Sequence, residues 1–273
     1  DRENNMIKKF IMRCVPERTK GKLYALEHRF MVLFAGMKFL LKNKFRKPRI
    51  EYYNIPIIIN NFNRLGYLRK LIASLESRGY KNIYIIDNNS TYPPLLEYYT
   101  SCPYPVYLLP KNVGYKAIWE TGIYDQFKHS YYVYTDSDME IDESCPRDFM
   151  EHFVKILQKY KTAQKVGFGI RIDDLPDSYP NKEKVIKWES QFWVKEVQPG
   201  LYKAWVDTTF ALYRPYCKGA TNHCHKVFRT GYPYLIKHLP WYNLVEYRTE
   251  EDYYLSNIKT STHWSASTKE IQD

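Results

Sequence analysis

From residue 55 onward, short apolar runs dense in β-branched residues alternate with stretches whose apolar positions recur every three or four residues. The run IPIIINNF predicts a buried strand, with Pro56 tolerable near its start. In the following RLGYLRKLIASLESRGY, Leu68, Leu71, Ile72 and Leu75 share one helical face, and Gly79 supplies a stop. NIYIIDNNS predicts a second strand, YPPLLEYYTS a turn and short helix, and YPVYLLPKN a third strand. KAIWETGIYDQF then predicts one helix and YYVYTDSD a fourth strand.

Strands alternating with helices imply parallel pairing through right-handed crossovers. In such a sheet ligands sit beyond the carboxyl ends of the strands, where Asn60, Asn61, Asp87, Asn88, Asn89 and Asp136 fall. Asp136 and Asp138, two apart in extended chain, project to the same side and can share one hard cation. A divalent ion removes the repulsion of two close carboxylates; capping of the following turn is the purely structural alternative.

Before residue 50 the pattern is different. Residues 1 to 49 hold 14 Lys and Arg against 4 Asp and Glu, so they carry +10 of the chain's formal +11. Within them Phe30, Leu33, Phe34, Met37, Leu40 and Leu41 recur at helical spacing beside Arg29, Lys38, Lys42, Lys44, Arg46 and Lys47. The apolar run FMVLFAGMKFLL is too short to span a bilayer and contains Lys38. Such a basic amphipathic helix either lies on anionic lipid, gaining about 1 kcal/mol per well-placed Lys or Arg, or packs on the protein body. No nucleic-acid-binding motif accompanies the charge, and no secretory signal is recognisable.

The apolar share of 44% and charged share of 26% are ordinary for a soluble globular protein, so one α/β domain with extensions is expected. The 27 Tyr and 6 Trp are many; they suit carbohydrate faces, although core packing explains most rings. Five Cys without a CxxC pair argue against a disulfide framework and fit a reducing compartment. The adjacent His223, Cys224 and His225 cannot all converge on one metal ion.

From Ile55 through Ile141 the order and spacing of IPIIINNFNRLGYLRKLIASL, IYIIDNNST, PKNVGYKAIWETGI and YVYTDSDMEI resemble GT-A fold glycosyltransferases, especially the bacterial family 2 type. The resemblance implies an α/β fold with a central, mostly parallel sheet flanked by helices. Residues 50–273 would form the catalytic domain, 50–142 its nucleotide-sugar half and 143–273 its acceptor half, behind the extension 1–49. It also implies that Asn61, Arg64 and Asp87 embrace the nucleoside, with Asn112 and Gly114 nearby. Asp136 would approach the ribose or sugar, and Asp138 would bind a Mn²⁺ or Mg²⁺ ion bridging the diphosphate. Trp119 stands where many family members carry Asn.

In the second half, Asp173 and Asp174 fall in a predicted loop and WVDTTFALYR predicts a strand, with Asp207 near the donor by the same likeness. Glu251, Asp252 and Leu255 look like the family's Glu-Asp motif, with Asp252 the first choice of general base and Glu251 the second. TEEDYYL equally reads as a helix start with Thr249 as N-cap. His263 could complete a metal shell by likeness to other GT-A enzymes.

The expected activity is metal-dependent, inverting transfer from a nucleotide sugar, with UDP the expected nucleotide, to a glycan or lipid-linked glycan, serving surface polysaccharide synthesis at the cytoplasmic face of a membrane. A sugar nucleotidyltransferase is the alternative of the same fold, although NNFNRLGYL lacks the Gly-rich basic loop that such enzymes carry. A carbohydrate-binding protein without turnover is the non-enzymatic alternative.

Overall fold

A computed structural model describes residues 50–219 and 226–258. The basic extension, the His223–His225 stretch and His263 lie outside the described residues.

The expected α/β core is present. Strand β1 (Ile57–Asn61) lies between β2 (Ile83–Asp87) and β4 (Tyr132–Asp136), and β3 (Val106–Leu108) extends the sheet beyond β2, all in parallel. The order β3-β2-β1-β4 is that of a nucleotide-binding crossover half. Ile57, Ile58 and Ile59 are all fully buried, because helices and loops cover both faces of a parallel sheet. Each such side chain contributes about 1.5–3 kcal/mol relative to an exposed one.

Helix α1 (Gly66–Glu76) presents Leu68, Leu71, Ile72 and Leu75 to this core, and Gly79, at φ +92°, turns the chain out of the helix region as expected. Helix α2 (Pro93–Ser101) follows β2. KAIWETGIYDQF forms two short helices rather than one, α3 (Ala117–Glu120) and α4 (Tyr124–Phe127). Gly122 between them sits at φ +79°, which a continuous right-handed helix excludes.

Beyond β4 the sheet becomes mixed. Strand β5 (Met139–Ile141) and helix α5 (Phe149–Lys159) lead to β6 (Ala163–Ile170), every residue of which is buried. Helix α6 (Lys182–Ser190) precedes the hairpin of β7 (Glu196–Gln198) and β8 (Leu201–Lys203). Strand β9 (Ala211–Tyr213) inserts antiparallel between β4 and β6, joining the two halves into one sheet. The long β10 (Lys226–His238) pairs in parallel with β6 and antiparallel with β5 and β8.

Helix α7 (Arg248–Asn257) returns to the start of α1. Its N-cap position is Tyr247, without a side-chain cap bond, so Thr249 lies inside the first turn and not at the cap. The tight fit requires Gly66: a Cβ there would lie 2.4 Å from the Tyr247 ring.

Candidate active site

The carboxyl ends of β1, β2 and β4 form one edge, and two polar networks meet there. The first is built of amides. Asn88 donates through Nδ2 to Asn60 Oδ1 (2.9 Å) and to the Gly114 carbonyl (2.8 Å), while its Oδ1 accepts from the Val113 amide (2.9 Å). One side chain therefore ties β1, β2 and the Asn112–Gly114 turn together. Gly114 adopts φ +75°, and Asn112 Oδ1 accepts from its amide at 2.8 Å.

Asp87 Oδ1 accepts from the Ser90 amide (2.8 Å) and Oδ2 from the Tyr99 hydroxyl (3.0 Å), which also accepts from Asn61 Nδ2 (2.9 Å). Asn63, at φ 53°, receives the Thr91 and Tyr92 amides on its Oδ1 at 2.7 and 3.0 Å. The buried Asn61 Oδ1 finds no partner among the described residues.

The second network is charged. Arg64 Nη1 donates to Asp138 Oδ2 at 2.6 Å, while its Nε and Nη2 grip both oxygens of Glu251 at 3.0 and 2.6 Å. The Tyr254 ring lies 3.6 Å from the guanidinium carbon. Bidentate pairing and a π face are what a guanidinium offers and an ammonium does not. Burial opposes the charge on Arg64, but Glu251 and Asp138 outweigh it and raise its proton affinity.

Glu250 works beside this pair. Its Oε2 accepts from the Leu65 and Gly66 amides at 2.7 and 2.6 Å, capping α1 with a carboxylate supplied by α7. Burial nevertheless raises its pKa against these backbone bonds.

The two carboxylates of the Asp-x-Asp pair differ in state. Burial pushes Asp136 well above the usual carboxylate range, and the charge of Asp138 adds to that; Thr208 Oγ1, donating at 2.5 Å, opposes it. Asp138 is the more buried of the two, but His238 and Arg64 overcome burial and hold it below that range. His238 closes β10, opposite Met139 of β5, which carries its Nε2 to 3.4 Å from Asp138 Oδ2. The sequence reading missed His238, because only the β5–β10 pairing brings it to the site.

The other expected residues are distributed as follows. Asp207 is exposed, one residue before Thr208 and electrostatically coupled to Asp136. Asp252 is exposed, and on the helix it lies away from the face on which Glu250, Glu251 and Tyr254 meet α1. Asp173 and Asp174 pair with Arg171. Trp119 turns into the core, where Nε1 donates to the Tyr132 hydroxyl at 3.1 Å and the ring packs on Tyr134 and Tyr213.

Among the described residues no three His, Cys, Asp or Glu side chains are gathered closely enough to hold a metal ion. The donor set still fits one. Asp136 and Asp138 repel each other, Asp136 pairs with no cation among the described residues, and two carboxylates with His238 suit Mn²⁺ at least as well as Mg²⁺.

This geometry agrees with comparison to known proteins. Residues 57–214 match the family described as Glycosyl transferase family 2. The chain belongs to that family. Its fold is GT-A. Among solved structures it is similar to TarS of S. aureus, at 15% identity and TM-score 0.34, over 46% of this chain and 23% of that one. It is also similar to GalNAc-T7 with UDP, GalNAc and Mn²⁺, at 13% identity and TM-score 0.47, over 68% and 43%. The chain thus spans less than half the length of either. No curated protein sequence matches it. Among the described residues no helix is long and apolar enough to cross a membrane.

Proposed function

We propose that this family 2 member transfers a glycosyl group with inversion from a nucleoside diphosphate sugar, with UDP as the nucleotide, to a hydroxyl of a glycan or lipid-linked glycan. The observation that carries the reading is the pair at the end of β4, where Asp138 is balanced by Arg64 and the half-buried Asp136 pairs with no cation among the described residues. Residues 50–142 would receive the nucleotide along the amide network, with the unspent Asn61 Oδ1 as an acceptor for its N–H or O–H groups. Residues 143–273 would receive the acceptor.

A divalent ion held by Asp136 and Asp138, with His238 in reach of the latter, would stabilise the negative charge of the leaving diphosphate. The protein supplies the rest. The Arg64 guanidinium now donates to Asp138 and Glu251. On donor binding the guanidinium exchanges these partners for the diphosphate, an equally suited bidentate anion. Glu251 is then free to act.

As the acceptor oxygen bonds to the anomeric carbon, the bond from that carbon to the diphosphate breaks and its electron pair leaves with the nucleotide. The acceptor's proton goes to a carboxylate. We assign it to Glu251, the motif residue that reaches the charged network, with Asp252 as the competing choice.

The residues 1–47 would dock the enzyme on the anionic inner face of a membrane. Incubation with a panel of UDP-sugars, with Mn²⁺ or with a chelator, tests the reading. Nucleotide release that requires the ion is expected; its absence from folded protein across the panel would overturn it. Deletion of 1–47 should release the protein from anionic vesicles without changing nucleotide release.

A further inference from the structure

Three aromatic side chains in the second half form a row. Trp188, in the last turn of α6, meets Phe192 edge-on at 6.2 Å between ring centroids, and Trp205 meets the other side of Phe192 at 6.2 Å and 65°. Phe192 is buried, whereas Trp188 and Trp205 are 40% and 38% exposed. Two large rings are thus held at the surface by a third beneath them, at the cost of apolar area left in water.

Their support is stiff and expensive. Arg229 and Glu189, both almost fully buried, form an ion pair at 2.5 Å. The guanidinium stacks on Phe192 at 4.2 Å, and its Nε donates to the Trp205 carbonyl at 2.6 Å, while Glu189 is the neighbour of Trp188. One buried pair therefore anchors the buried Phe192, the Trp205 backbone and the residue beside Trp188. Beneath them β6 carries glycine twice on one face. A Cβ at Gly169 would lie 2.4 Å from the Trp193 ring, and one at Gly167 would lie 2.7 Å from Val206 Cγ1. The two segments bearing the row are consequently pressed directly on the strand.

The row also runs into the charged site. Trp205, Val206 and Asp207 lead to Thr208, whose hydroxyl bonds Asp136. We propose that Trp188 and Trp205 form a stacking platform for the pyranose rings of the acceptor glycan, with Trp205 nearer the reacting sugar. The flat rings match the apolar faces of a sugar, and the exposed carboxylate of Asp207 offers an acceptor for hydroxyl groups at the sugar's edge. The proposal rests on the glycosyl-transfer reading, since it names where that reaction's second substrate lies.

Cellobiose, lactose and di-N-acetylchitobiose serve as probes. Brief radical oxidation followed by mass spectrometry, with and without each disaccharide, reads the accessibility of Trp188 and Trp205 in the unaltered protein. At least one disaccharide should protect both, saturably. Trp188→Ala and Trp205→Ala should each weaken that disaccharide's binding roughly ten-fold, whereas Trp188→Phe and Trp205→Tyr should stay close to the unaltered protein. Absence of protection by all three, or alanine variants that bind undiminished, would overturn the platform. Protection by vesicles but by none of the disaccharides would overturn it in favour of a lipid surface. Nucleotide release from UDP-sugars by the unaltered protein is scored separately. Release without protection removes the platform alone, and protection without release keeps the saccharide site while removing the donor reading.

Discussion

The two networks on the strand edge differ in kind. Around β1 and β2 the partners are amides, hydroxyls and a carboxylate held by neutral donors, and most polar atoms are already used: Asn88 makes three bonds, the Asn63 side chain two and Asp87 two, with Asn61 Oδ1 and Asn63 Nδ2 left over. Around β4 the partners are ions, and the Arg64 guanidinium joins Asp138, 74 residues away, to Glu251, 187 residues away. A satisfied neutral network has nothing to gain from rearranging, so it serves as a preformed cradle. A buried guanidinium shared by two carboxylates can trade one anion for another, so it can answer the arrival of a charged ligand. In the proposed reaction the cradle would set where the nucleotide lies, and the ionic network would respond to its charge.

The comparison breaks most severely at Asp138. Asp138→Asn should lower turnover roughly 10³–10⁴-fold, because it removes the charge that Arg64, His238 and a divalent ion all address. The protein should still fold and, through the amide cradle, still bind nucleoside monophosphate. Isothermal titration with UMP and with UDP plus Mn²⁺ separates the two contributions. Equal loss of both would show that the networks are not independent.

A second variant pair sharpens the ionic side. Glu251→Gln should cost roughly 10²–10³-fold in rate, the usual worth of a positioned proton acceptor. Asp252→Asn, on the outward face of α7, should cost less than ten-fold. The reverse order would return the base to Asp252 and leave Glu251 as the residue that positions Arg64.

How much of this was legible follows the same division. The amide cradle lies at strand ends marked by β-branched runs, so Asn61, Asp87, Asn112 and Gly114 could be brought to one edge from the chain alone, although the bonds between them cross up to 38 residues. His238, Thr208 and Glu250 were invisible, because each meets its partner through a long-range pairing: β10 on β5, β9 beside β4, and α7 on α1. Glu251 and Asp252 were both legible as a motif, but choosing between them takes the helix's orientation, which no local pattern encodes. The break of KAIWETGIYDQF at Gly122 was the reverse case, a local signal outvoted by periodicity. Trp119 shows the limit of likeness: its ring fills the core, so whatever an Asn does there in relatives is not done in this way here.

Between the two networks stands Glu250, whose charge is spent on structure. Glu250→Ala should destabilise the fold by about 2 kcal/mol in denaturant titration, since the Leu65 and Gly66 amides lose their acceptor and α7 loses its tie to α1. The UMP affinity of the residual folded protein should hold, because no amide of the cradle depends on Glu250.

The last effect expected, on stability alone and not on turnover, is at Lys165, a cation in neither network. It is fully buried in β6, where Nζ donates to the Tyr213 hydroxyl at 3.0 Å and to the Asp207 carbonyl at 3.2 Å. Burial pushes its pKa down to about 7; Asp207 works against that shift and Arg229 adds to it. The unfolded chain, with an ordinary lysine near 10.5, therefore binds more protons than the folded one between about pH 7 and pH 10.5, so this residue makes stability rise with pH across that window. Below pH 7 both states are protonated and the full penalty of a buried ammonium remains. Lys165→Met removes the penalty but also leaves the Tyr213 hydroxyl and the Asp207 carbonyl without their donor. Its stability relative to the unaltered protein should accordingly be most favourable at pH 6 to 7 and fall by roughly 3–4 kcal/mol by pH 10, about three pH units at ~1.4 kcal/mol each. Urea unfolding at the two pH values reads the difference. A relative stability independent of pH would mean that Lys165 keeps its proton in the fold, and that the Asp207 loop is held by a true ammonium rather than a neutral amine.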